Sequence, residues 1–162
     1  AALQRGRELL AEARSTDGVE AALVWVRRAA SLLPGDTRLQ AELAHAALYQ
    51  EAWSSARLQE WDRTVRALVG LLRQEPGYAA GGACRLLSHA YMERAQSLRT
   101  RNLLTLALAD YRSAQELACG DQAQIRAHMS LVMAALTPTA TLAAPTATLV
   151  PPTSTPSLLA VE

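Results

Sequence analysis

Lysine and phenylalanine are both absent from this chain of 162 residues, so all 16 basic side chains are arginine. Without lysine there is neither a Schiff-base amine nor the lysine of a phosphate-binding loop. Seven residues are aromatic, three Trp and four Tyr, too few for a sheet core built on aromatic pairs. No run approaches the roughly 18 apolar residues that a membrane-spanning helix needs. Net charge is +1, which gives no electrostatic basis for binding nucleic acid or an acidic membrane. Enzyme signatures are missing too: no glycine-rich phosphate loop, no Cys-x-x-Cys, no His-Glu-x-x-His. Ser88 and His89 are adjacent, and adjacent residues on a helix point to different faces. Catalysis and cofactor binding are therefore not expected.

Half of the chain is apolar, supplied mainly by alanine and leucine, a composition that favours closely packed helices. Three segments end alike: Ser31-Leu32-Leu33-Pro34-Gly35-Asp36, Arg73-Gln74-Glu75-Pro76-Gly77-Tyr78 and Glu116-Leu117-Ala118-Cys119-Gly120-Asp121. A period of about 20–50 residues marks stacked units that bury a common core only against their neighbours. Aligned on these glycines, helices are predicted over 19–33, 61–75 and 104–118. Ala22, Thr64 and Ala107 fall at one position, Ala29, Leu71 and Ala114 at a second, Val19, Trp61 and Leu104 at a third, and Val26, Leu68 and Tyr111 at a fourth. That spacing gives each helix one buried stripe. Partner helices are expected over 2–14, 38–58 and 80–99, with an unpaired one at 122–136. The terminal glycines should take left-handed caps. Thr37 to Gln40 and Asp121 to Gln124 have the form of capping boxes, and Asp17 with Glu20, and Asn102, are expected to start other helices.

These positions resemble the tetratricopeptide repeat. Gly6, Leu9, Leu10, Ala13, Val19, Ala22, Val26, Ala29 and Pro34 fit the family pattern in the first unit; Leu87, Ser88, Tyr91, Ala107, Tyr111 and Ala114 fit it in the third. The resemblance covers about four fifths of the chain. It implies an all-α right-handed superhelix of about three helical hairpins plus a capping helix, spanning 1–136, with the last helix solvating the exposed face of the third hairpin. Units two and three are roughly eight and seven residues longer than the family unit of about 34. The excess, at 48–60 and 91–102, contains no Pro or Gly and reads as added helical turns.

Residues 137–162 differ sharply, with seven Thr, two Ser, five Pro and no charge before Glu162. An extended polyproline-like tail is expected, roughly 80 Å long at about 3.1 Å per residue. The composition is that of an O-glycosylated stalk, with Thr137, Thr139, Thr141, Thr146, Thr148, Thr153 and Thr155 as acceptors; an unmodified spacer has the same composition. Leu149-Val150 and Leu158-Leu159 are the natural anchors should the tail dock on another copy. Because the chain begins at Ala1, it reads as a processed or excised piece.

Cys84 and Cys119 are the only cysteines. Antiparallel pairing of their helices brings the two ends together, so a disulfide closing the loop is expected; two buried thiols are the alternative. With the stalk-like tail, a bridge points to an oxidising compartment, hence an extracellular or cell-surface location. His45, His89 and His128 recur in similar contexts. The family resemblance implies that they face the concave groove and contact a bound segment; the alternative is a histidine satisfied at a helix interface. Zinc needs its nitrogens at about 2.0–2.1 Å, whereas helices pack some 8–10 Å apart, which argues against a shared metal. Tyr49, Trp53 and Trp61 should staple the long hairpin. Arg94, Arg99 and Arg101 crowd its neighbour's tip, with Glu93 the one nearby acid.

The expected function is a non-catalytic protein-interaction scaffold outside the cytoplasm. In one version copies self-associate into a surface assembly or fibre, each tail lying on a neighbour. In the other the chain is the recognition ectodomain of a bacterial receptor or adaptor, and the tail is a tether. The partner is protein in both, chiefly other copies of the chain in the first; repeat proteins with such tails look like those of bacterial surfaces.

Overall fold

A computed structural model describes residues 1–137. Among them are seven α-helices and no strand: α1 (Ala2–Glu12), α2 (Thr16–Leu32), α3 (Thr37–Arg57), α4 (Trp61–Gln74), α5 (Gly82–Thr100), α6 (Leu104–Leu117) and α7 (Gln122–Leu136). Each helix packs most closely on its neighbours in the chain, from α1 on α2 through to α6 on α7. The repeated stripe is buried at three of its four positions: Ala22, Thr64 and Ala107 are fully buried, as are Val26, Leu68 and Tyr111, and Ala29, Leu71 and Ala114 are buried. At the fourth, Val19 is buried but Trp61 and Leu104 are half-buried. The added turns are present, since α3 runs helically to Arg57 and α5 to Thr100.

Two cores result. The larger joins α1 to α5 and includes Leu10, Leu23, Tyr49, Leu68, Leu71, Tyr78 and Leu87. The smaller joins α5, α6 and α7 through Met92, Ala95, Tyr111, Ile125 and Val132. Helix α5 serves both, its first half facing one core and its second half the other.

The helix ends depart from expectation in an instructive way. Helix α2 begins three residues early because Ser15, not Asp17, is its cap: Ser15 Oγ accepts from the Gly18 N–H at 3.3 Å. Helix α3 is capped by Asp36 rather than Thr37, its Oδ1 accepting from the N–H groups of Arg38 at 2.8 Å and Leu39 at 3.3 Å. A carboxylate one residue earlier outcompetes a hydroxyl, since it adds charge at the positive helix end. Asp121 caps α7 as expected, accepting from Ala123 and Gln124 at 3.0 Å. Asn102 does not start α6; with φ 59° it makes the left-handed turn before Leu103, the cap.

None of the three repeat-ending glycines is left-handed. The positive-φ positions are Gln59, Ala79, Ala80, Gly81, Asn102 and Ala118. Gly120 is glycine for a different reason. A Cβ there would collide with the Ser88 hydroxyl and approach the Ser88 Cβ at 3.0 Å. The turn into α7 thus lies directly on the middle of α5.

Candidate functional site

The cavity of main interest arises from a mismatch in length. Helix α1 has 11 residues and α3 has 21, or about 16 Å against 31 Å at 1.5 Å per residue. The first hairpin therefore stops short of its neighbour. Beyond the α1–α2 turn the later half of α3, the start of α4 and the first half of α5 enclose a cavity of about 560 Å³. Tyr49, Trp53 and Ala56 come from α3, Trp61 from α4, and Gly82, Leu86 and His89 from α5.

Gly82 is what lets α5 approach. A Cβ there would lie 2.8 Å from the Tyr49 hydroxyl, so any side chain would displace the phenol. Tyr49 is fully buried, and its hydroxyl and the Trp53 indole N–H lack a hydrogen-bond partner. Burial pushes the Tyr49 phenol above its ordinary range; the nearby Trp53 N–H and the charges of Arg85 and Arg14 act in the opposite direction. Tyr49 stacks edge-on with Trp53 and Tyr78, at 6.3 and 5.7 Å between centroids. The first pair lies within α3, and the second ties α3 to the loop after α4. Trp61 instead turns its edge to His89 at 5.8 Å.

Arg14, Arg57 and Arg85 stand around this space, and no Asp or Glu lines it. Among the described residues none of the three arginines forms an ion pair. Arg14 donates to the carbonyls of Ala11 and Ala13, at 3.1 and 3.0 Å, and Arg85 to that of Ala80 at 3.4 Å.

Arginine is used differently elsewhere. Arg94, one of the arginines crowding the tip of the third hairpin, grips the buried Asp110 carboxylate through two bonds of 2.7 Å and reaches Asp62 at 2.8 Å. The hydrogen bonds to Asp110 hold its guanidinium still more firmly protonated, against the opposing effect of burial. A doubly bonded guanidinium satisfies an acid placed between α5 and α6. Arg7 donates twice to a single oxygen, Oε2, of buried Glu42, at 2.6 and 3.1 Å. The sequence shows no sign of either pair, because their partners are 16 and 35 positions apart.

The three histidines have different polar surroundings. His45 pairs with Gln74 at 3.2 Å and meets the edge of Tyr78, and His128 stacks flat on Tyr111 at 5.6 Å. Of the three, His89 alone lies on the cavity lining. What recurs is a histidine against an aromatic ring from a neighbouring segment. Among the described residues no group of three His, Cys, Asp or Glu could hold a metal ion.

Cys84 and Cys119 form a disulfide with Cα atoms 6.1 Å apart, linking the start of α5 to the second residue after α6. Thr137 is exposed at the end of α7. Leu149, Val150, Leu158, Leu159, Thr139, Thr141, Thr146, Thr148, Thr153 and Thr155 lie outside the described residues. No described helix is long and apolar enough to cross a membrane. Comparison with protein-family models, curated proteins and solved structures returns no match.

Proposed function

We propose that the chain is a non-catalytic, self-associating scaffold of tetratricopeptide-like hairpins in a right-handed superhelix, working outside the cytoplasm. The observation that carries this reading is the outward face of α7. A terminal element of a helical stack ordinarily turns a polar face to water. Instead α7 carries a single charge, Arg126. Ala127, Leu131 and Ala134, one face by helical spacing, are all exposed, with Leu131 59 % accessible and Met133 46 %. This is the kind of surface on which a further helix packs. A second copy would supply that helix, and the Thr/Pro tail from 137 onward would lie along the neighbour. The disulfide is compatible with an oxidising location.

Sedimentation velocity over a range of concentrations tests the reading. The expected result is reversible growth in size for the full chain, reduced by Leu131→Glu and by truncation after Leu136. A full chain that stays monomeric at high concentration refutes it. A second reading, recognition of foreign polypeptide by a tethered ectodomain, is favoured by the cavity at the hairpin step.

A further inference from the structure

The cavity has a chemical character that self-association does not use. Every charge on its lining is positive, contributed by Arg14, Arg57 and Arg85, and none of these is paired within the described residues. Its inner wall is formed by Tyr49, fully buried with its hydroxyl beside the Trp53 indole N–H. The remaining wall is aromatic and aliphatic, from Trp61, Leu86 and Ala56. At about 560 Å³ the space falls within the range of roughly 300–1,000 Å³ typical of small-ligand sites.

We propose that this cavity, between the α1–α2 turn, α3 and α5, is a binding site for a small aromatic carboxylate. The ring would lie against Trp53 and Trp61, whose flat faces suit a planar partner. The carboxylate would take the arginine forks, which match its two oxygens in a way a lone ammonium cannot. A carboxylate accepts at both oxygens and donates at neither, which suits a lining whose free groups are donors. The arginines are exposed at the rim, and arriving anions meet them before the apolar interior.

Naphthalene-2-carboxylate and its uncharged amide are the probes, titrated into the full chain and followed by calorimetry and tryptophan fluorescence. Trp53 and Trp61 report on the cavity; Trp25 on α2 lies outside it. Thirteen heavy atoms at ordinary ligand efficiency correspond to a Kd of about 1 mM or tighter. The expected result is saturable binding of the carboxylate, at least about tenfold weaker binding of the amide, and loss of that difference in Arg57→Met and Arg85→Met. Both arginines are exposed, so these variants keep the core intact, and circular dichroism confirms the fold. Equal binding of acid and amide overturns the proposal, since the site would then be merely apolar. The absence of a saturable signal at 10-fold above that concentration also overturns it, as does binding by an acidic peptide when the free carboxylate does not bind. Sedimentation in the presence of the probe separates this outcome from that of the self-association test.

Discussion

The two cores of this molecule solve the same packing problem with different means. Around α5, α6 and α7, contact is fixed by specific devices: a disulfide, a two-pronged Arg94–Asp110 pair, and a glycine turn seated on Ser88. Around α1 to α4 the contact rests mainly on aliphatic side chains, with the Tyr49, Trp53 and Tyr78 rings and the Arg7–Glu42 pair beside them, and where the short first hairpin ends a cavity opens. Arginines divide between closed packing and the open junction. Arg94 and Arg7 are each locked onto a buried acid, whereas Arg14, Arg57 and Arg85 line an opening with no acid to hold them. The second core reads as scaffold, and the open junction is where the molecule has chemistry to spare.

That contrast can be broken most forcefully at the disulfide. Closing a loop of 35 residues stabilises by about 3–4 kcal/mol on the loop-entropy model. Replacing Cys84 and Cys119 together by serine should lower urea stability by up to that amount. Hydrogen exchange should show α6 and α7 losing protection before α3 and α4. Uniform loss of protection would mean the two cores unfold as one.

Next in size is the choice of arginine. Arg94→Met strands the buried Asp110 carboxylate and should cost about 3 kcal/mol. Arg57→Met, at an exposed unpaired position, should stay within about 0.5 kcal/mol of the parent. Denaturant midpoints of the two variants compare them directly.

The smallest effect concerns the tyrosines. Burial raises the phenol pKa of Tyr49, Tyr78 and Tyr111, with Glu42 adding to the effect at Tyr78. The unfolded chain ionises tyrosine near its ordinary value, about 10. Stability from the neutral buried phenols is therefore whole below that pH and declines as pH rises above it, toward the higher folded values. Each phenol contributes at most about 1.4 kcal/mol per pH unit. Helical circular dichroism should fall together with the appearance of tyrosinate absorbance. Tyr49→Phe should make the alkaline decline shallower while changing stability at neutral pH little.

The helices were legible in the sequence because their cores are periodic. Ala22, Thr64 and Ala107 recur at one helical position and are all fully buried. The cysteine pair was legible because antiparallel neighbours bring their opposite termini together. Helix starts were legible only to within a turn, since Ser15 and Asp17, or Asp36 and Thr37, are chemically competent caps a few residues apart. Among the described residues, left-handed positions fell on Gly81 and on five non-glycine residues, Gln59, Ala79, Ala80, Asn102 and Ala118, which the glycine preference alone does not mark. The arginine-rimmed cavity was out of reach for another reason. It belongs to no motif but to the difference in length between α1 and α3, and becomes visible only when the two stand side by side.

The bridge between Cys84 and Cys119 also governs how this molecule would carry load. Tension arriving through Thr137 peels α7 from its neighbour and then reaches Cys119. There the covalent link passes the pull straight to Cys84, bypassing the helices in between. The α5–α6 hairpin is left out of the force path, so a tug on the tail cannot pay out its length while the bridge is oxidised.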